Sequence, residues 1–367
     1  MWYTIDNIEQ LDTPVFTVFP DRVKANIETA ITIVGDENRL RPHIKTHKSP
    51  DATRLMLAAG IRKFKCATIA EAEMLGQCGA PNVVLAYQPL GPKLLRFIQL
   101  IKAYPDTSYS CLTDNIPAAT AQAAAFQAAG LNVPVYIDLN IGMNRSGIIP
   151  GDAADALFRK LHELDGILPA GLHAYDGHLR SADIAERTKQ CDAGFQAVTD
   201  MKARMEAAGF TVNTIIAGGS PAFPIHAKRK GVECSPGTFI YWDKGYSDLC
   251  PEQPFLPAVV LVTRVISLPT STRICTDLGH KSVAAENEIT RRVHFLNAEG
   301  LTPVGQSEEH LVLEAPEGHG WKPGDVLYAI PYHVCPTVAL YERMIVVENG
   351  IAGGEWLNTA RNRTLKY

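Results

Sequence analysis

The sequence predicts an α/β protein in which a (β/α)8 barrel is joined to a C-terminal antiparallel β domain. Short β-rich runs alternate with helical patterns from residue 39 to about 243. Several of the helical stretches carry Ser, Asp or Asn near the start and Gly at the end, the usual cap asymmetry. After about residue 250 the texture changes to alternating, β-branched runs broken by Gly and Pro turns.

The strand candidates of the first region are "RLRPHIKTH", "KFKCAT", "NVVLAYQ", "TSYSCLT", "VPVYIDLN", "ILPAGLHAY", "TVNTIIAGG" and "VECSPGTFIYWD". Helical stretches such as "SPDATRLMLAAG", "IAEAEMLGQCG", "GPKLLRFIQLIKAYP" and "NIPAATAQAAAFQAAG" lie between them. Repeated βα units with short links imply a parallel sheet, and eight of them suit closure into a barrel. An open doubly wound sheet is the alternative, but no Gly-rich dinucleotide turn follows the first strand. The later runs, from "PFLPAVVLVTRVISLP" to "GDVLYAIPYHVCPTVALYERMIVVENGIAGGEWL", contain no convincing helix. The leading run "PVFTVF" is surplus to the eight and is expected to pack with the β domain. The barrel is therefore expected at residues 20–245, and the β domain at 1–19 and 246–367.

A chain of 367 residues with 46% hydrophobic and 20% charged content reads as a soluble globular protein. Its net charge of -4 lacks the basic footprint of a nucleic-acid binder. Neither a signal peptide nor an apolar run able to cross a bilayer is visible, so cytoplasmic residence is expected, with no membrane partner. The eight cysteines fall mostly in apolar runs without tight pairing and are expected to be reduced.

In a barrel the reacting groups belong at the C-terminal ends of the strands. "RPHIKTHK" places Lys45 and His47 at such an end, and strand alternation would put Arg41, His43, Lys45 and His47 on one face. That face is either solvated or turned toward a bound anion. Lys45 itself reads as an electrostatic clamp, an ion-pair partner or a nucleophile whose basicity neighbouring cations such as Arg41 reduce. "DLNIGMNRSGI" follows with Asp138 and Arg145 among turn glycines. "HAYDGH" brings His173, Tyr175 and His178 to the same rim. "AGGS" and "SPGT" offer Gly218, Gly219, Ser220, Gly237 and Thr238 as a phosphate cradle after strands seven and eight, or as plain turns. In the β domain "PYHVCPT" sets His333 and Cys335 two apart on an expected strand. Imidazole and thiolate facing the same way suit zinc better than magnesium, against the bland reading of a buried Cys beside a hydrogen-bonded His.

Taken together these motifs resemble the pyridoxal-phosphate enzymes with an alanine-racemase-like barrel (fold type III), in the branch of D-threonine aldolase and D-serine dehydratase. The resemblance spans nearly the whole chain through "RPHIKTHK", "CATIAEAE", "DLNIGMNRSGI", "GGS", "SPGT" and "HVC". It implies a covalent cofactor link at Lys45, with His43, Arg145, Tyr175 and the glycine turns binding pyridoxal phosphate. Arg41, His43 and His47 would surround that anion. It also implies a divalent metal, zinc or manganese or magnesium, on His333 and Cys335, and a homodimer with one β domain near the partner's barrel mouth.

The implied substrates are D-3-hydroxy amino acids, cleaved to glycine and an aldehyde with a rim histidine such as His178, or a metal-bound hydroxide, as base. The alternative within the branch is dehydration of D-serine or D-threo-3-hydroxyaspartate, which Cys335 favours, because aldolases of this branch tend to carry aspartate there. A racemase would need a second base, for which Tyr332 is a weak choice. A non-catalytic cofactor carrier would not need the β domain.

Overall fold

In a computed structural model, which describes residues 1–363, the chain divides into two compact units. One comprises Met1–Thr29, Thr46–Ala52 and Thr238–Arg361, and the other Ala30–Lys45 and Thr53–Gly237. Residues 364–367 of the expected β domain lie outside the described residues.

Along the chain the elements run β1 (Val15–Val18), α1 (Pro20–Val34), α2 (Pro50–Ala58), β2 (Lys63–Cys66), α3 (Ile69–Gln77), β3 (Asn82–Leu85), α4 (Pro92–Ala103) and β4 (Ser108–Thr113). Next come α5 (Ile116–Ala128), β5 (Val133–Leu139), α6 (Asp152–Leu161), β6 (Ile167–Ala174), α7 (Ile184–Ala207), β7 (Thr214–Ala217), α8 (Phe223–Ala227), β8 (Val232–Cys234) and α9 (Lys244–Leu249). The last part holds β9 (Val259–Thr270), β10 (Arg273–Thr276), β11 (Val293–Phe295), β12 (Thr302–Gln306), β13 (Leu311–Glu314), β14 (Val326–Pro331), α10 (Val334–Leu340), β15 (Arg343–Glu348) and β16 (Ile351–Leu357).

In the barrel unit, β2 to β8 are parallel neighbours in chain order. Most of their residues are buried, as strands covered on both faces must be. The helices between them start where polar side chains cap them: Thr68 accepts from Glu71 N, Asn115 from Ala118 N, and Asp183 from Ala185 N.

The eighth stave is not a regular strand. The expected strand over residues 39–47 is replaced by the irregular segment 40–44, because Pro42 has no N–H to give a ladder. The segment still joins both edges. Arg41 N donates to Cys234 O (2.8 Å) and His43 N to Pro236 O (2.8 Å), while Lys65 N donates to Pro42 O and Ile44 N to Lys65 O (both 2.9 Å). The parallel order and this closure exclude the open doubly wound sheet. The strand read in "VECSPGTFIYWD" is likewise shorter than expected, since only Val232–Cys234 pairs and a 3-10 turn, Thr238–Ile240, follows.

The second unit is a mixed sheet, mostly antiparallel, in the order β12-β13-β10-β9-β1-β15-β16, with β14 bridging β9 and β11. The surplus leading strand is β1, antiparallel to β9 and parallel to β15. Tyr3, Ile5, Phe19, Val260, Val262, Tyr328, Val347 and Ala352 form its buried apolar cluster. Contrary to the helix-free expectation, this unit contains α9 and α10. None of the eight cysteines is in a disulfide; five are buried, and Cys78, Cys275 and Cys335 are half-buried rather than core residues.

Candidate active site

On β5 and β6, alternation sends Tyr136 and Asp138, then Gly171 and His173, to one face. On β2 it sends Lys65 inward, where it is 2% exposed. At the C-terminal ends three cations gather around one ring. Lys45 Nζ lies 5.9 Å from the Tyr175 ring centre, Lys65 Nζ 5.5 Å and Arg145 Cζ 5.0 Å, all within cation–π range. Tyr175 and Arg145 also line a small cavity with Ala86, Met143, Ser146 and His173.

The two carboxylates of this region are already engaged. Asp138 Oδ1 is 2.7 Å from His173 Nδ1, and its Oδ2 accepts from Ser146 Oγ (2.9 Å). Burial pushes the Asp138 pKa up, but the bonds from His173 and Ser146 outweigh it and hold the group below its ordinary value. Asp176 Oδ2 lies 2.7 Å from His226 Nε2, and Oδ1 accepts from Gly219 N (3.2 Å). Among the described residues neither Lys45 nor Arg145 has an ion-pair partner. With Lys65, the rim therefore sets three cations against the charges of Asp138 and Asp176, an excess of positive charge.

Below the glycine turn His226 supports the backbone. A Cβ on Gly218, whose φ is +81°, would stand 2.7 Å from the His226 ring, and one on Gly219 would stand 3.1 Å from Tyr175. Gly218 is thus restricted by both its φ and its space, while Gly219 is tightly packed against the Tyr175 ring. Gly237 N is spent on Ser220 Oγ (3.3 Å) and Gly218 N on Ala174 O (3.1 Å), so of the predicted cradle Gly218 N, Gly219 N and Gly237 N already have internal partners. His178, exposed, packs its ring over Gly142, where a Cβ would come within 2.6 Å of Nε2.

The expected basic face of residues 41–47 is dismantled. Arg41, 1% exposed, is turned inward and donates to Glu233 Oε2 (2.7 Å) and Asn82 Oδ1 (2.6 Å), so its charge is neutralised within the barrel. His43 Nδ1 accepts from Lys45 N (3.3 Å), part of the turn that ends the stave. His47 lies in the other unit, buried against Tyr241. Burial drives its pKa down to about 3, and it is neutral rather than an anion clamp. Residues 44–47 form a turn, and the alternation that would carry His43, Lys45 and His47 on one face cannot continue through it.

In the sheet unit, His333 is the N-cap of α10 and Cys335 its second residue, so the pair sits at a helix start and not on a strand. His333 Nδ1 is bonded to Glu286 Oε1, and the ring is also hydrogen-bonded to Cys335. Burial lowers the His333 pKa, but contacts with Cys335 and Glu286 and the charge of Asp243 outweigh it and lift the group to about 9. Cys335 Sγ lies 3.2 Å from Thr46 Oγ1 and 3.8 Å from Thr238 Oγ1. Asp243 fixes this end, its two oxygens accepting from Tyr246 N (2.8 Å) and Val334 N (3.0 Å).

Residues 18–245 match the model of the alanine racemase N-terminal domain, and residues 258–347 that of a putative serine dehydratase domain. The chain belongs to the alanine racemase N-terminal domain family. Within it the chain falls in the branch expected from the motifs. It is 27% identical to the D-threonine aldolase of Arthrobacter sp, covering 97% of this chain and 94% of that one. It is 24% identical to the D-threo-3-hydroxyaspartate dehydratase of Delftia sp., covering 92% and 94%. The crystal structure of D-threonine aldolase from Filomicrobium marinum superposes with a TM-score of 0.89 at 27% identity, covering 97% of both chains.

Two features of this family member escape sequence reading. Lys65 stands in "KFKCAT", where local pattern shows only a strand. Asp176 and His226, with Cys191, are the three groups among the described residues whose ligand atoms converge as at a metal site. Arg229 Nη1 lies 2.7 Å from His226 Nδ1, on the ring edge away from Asp176, and 3.6 Å from Cys191 Sγ. The signal for the Asp176–His226 pair was present in "HAYDGH", where attention falls on the histidines around the aspartate.

Proposed function

We propose that this chain is a pyridoxal-phosphate- and divalent-metal-dependent lyase that cleaves D-3-hydroxy amino acids to glycine and an aldehyde. The carrying observation is the cation cluster at the barrel rim: Lys45, Lys65 and Arg145 around Tyr175, an excess of positive charge over the nearby carboxylates of Asp138 and Asp176. That donor set fits an anionic aldehyde cofactor. Lys45 is the amine to carry it, Tyr175 and Arg145 flank it, His43 braces the Lys45 backbone, and Gly218, Gly219, Ser220, Gly237 and Thr238 form the turns for its phosphate. Pyridoxal phosphate supplies the electron sink for the pair released at Cα.

His333 Nε2 and Cys335 Sγ are the proposed metal ligands, and Glu286 orients the imidazole. Two protein donors leave positions open, the mark of a substrate-binding metal rather than a structural one. A divalent ion there supplies Lewis-acid polarisation of the β-hydroxyl. In this reading His178, exposed beside a glycine loop, accepts the hydroxyl proton as the Cα–Cβ bond breaks, and return of that proton at Cα completes glycine. In this reading residues 20–245 form the cofactor domain and 1–19 with 246–367 the metal-bearing domain of a cytoplasmic homodimer.

A thiol at position 335 favours zinc and gives a second reading, dehydration to a keto acid and ammonia. Incubation with D-threonine, D-serine and D-threo-3-hydroxyaspartate, with zinc or manganese, separates the two. Glycine plus aldehyde is expected, and a keto acid in its place overturns the aldolase assignment. Sedimentation of the purified protein tests the dimer.

A further inference from the structure

Lys65 has lost nearly all its hydration, being 2% exposed. Its Nζ lies 3.5 Å from His173 Nε2, a long hydrogen bond. The direction of that bond is set from the far side of the ring. Asp138, held ionised, can only accept, so His173 Nδ1 carries the proton at 2.7 Å. Burial lowers the His173 pKa and keeps the ring neutral. Nε2 is then an acceptor and Lys65 the donor. The remaining N–H groups of this ammonium have no partner among the described residues. A buried cation with idle donors is costly unless an anion completes it.

No neighbouring side chain supplies the missing acceptor. Lys45 and Arg145 flank the same Tyr175 ring, Arg41 is committed to Glu233, and Asp176 is engaged by His226 and Gly219. We propose that Lys65, steered by the Asp138–His173 pair, is a further ligand-binding residue that donates a hydrogen bond to an anionic oxygen of bound pyridoxal phosphate. The inference rests on the cofactor reading above.

Its protonation gives a signature that a merely structural lysine lacks. Burial first, then the charges of Lys45 and Arg41, lower the Lys65 pKa, opposed by Asp138 and Asp176, and it falls to about 7. The ammonium that binds the anion is therefore present below neutrality and is lost above it in the free protein.

The test is reconstitution of the apo protein with pyridoxal phosphate, followed by fluorescence between pH 6 and 9, in wild type, Lys65→Met and Lys65→Arg. At pH 6.5 Lys65→Met is expected to bind about tenfold or more weakly. Wild-type affinity is expected to fall above pH 7 relative to Lys65→Arg, whose charge persists. Superposable pH profiles for wild type and Lys65→Arg overturn the proposal, and this comparison stands even where Lys65→Met does not fold. Borohydride reduction and peptide mapping keep the two readings apart. A label on Lys45 with superposable profiles sinks this inference alone, and no label on Lys45 sinks the cofactor reading itself.

Discussion

At the scale of single residues, the site separates charge from structure. Lys45→Ala is expected to abolish the visible absorbance of the holo protein, because Lys45 is the amine proposed to carry the cofactor. His333→Ala and Cys335→Ala are expected to keep that absorbance and lose turnover by at least about a hundredfold, since metal ligation and not cofactor binding is removed. Spectra and product assays on the same samples check both, and residual activity in either metal-site variant counts against the metal role. Glycines can be sorted in the same way. Gly171 has φ +138°, and a Cβ there would collide with the carbonyl oxygen of Thr214 on β7, whereas Gly35, at φ +72°, has open space around it. Gly171→Ala is expected to destabilise by about 3 kcal/mol, overpacking added to backbone strain, and Gly35→Ala by about 1 kcal/mol. Urea unfolding of the pair decides whether packing at β6–β7 is as tight as the geometry says.

Among the elements, α10 shows how a short helix carries a site. Its seven residues are too few to be stable alone, and Asp243 holds its start together with that of α9. Asp243→Ala strands two amide N–H groups and is expected to cost about 2 kcal/mol or more, with metal affinity reduced and cofactor absorbance unchanged. Denaturant melts and zinc titration measure the two effects. The same helix explains one misreading of the sequence: "HVCPTVAL" is a brief apolar run, and periodicity cannot tell strand from helix over that length. The 40–44 stave was misread for another reason. Its alternation looks regular, but Pro42 and the pairing of Arg41 with Glu233, 192 residues away, decide where its side chains point.

Across the whole molecule, the repeating βα pattern, the caps and the change of texture near residue 250 were legible because each is local. The motifs around Lys45, Arg145, Tyr175 and the glycine turns were legible for the same reason. Lys65 was not, since its meaning comes from His173, 108 residues further on. His47 was read as an anion ligand from its neighbours, whereas burial makes it neutral. That burial has a global consequence. Its Nδ1 accepts from Ser49 N at 3.1 Å, so the proton is on Nε2, which has no partner among the described residues. The folded state resists a second proton until about pH 3, against an ordinary value of 6.5. Between those values the unfolded chain binds more protons than the folded one, so stability rises with pH there and drains away as pH falls. The loss approaches about 1 kcal/mol per pH unit from this one group. In urea unfolding at intervals from pH 7 to 4, His47→Asn, which keeps an acceptor for Ser49 N, is expected to be less stable than wild type at pH 7 and to lose stability less steeply on acidification. Parallel slopes for the two proteins would show that His47 is protonated as readily in the fold as out of it.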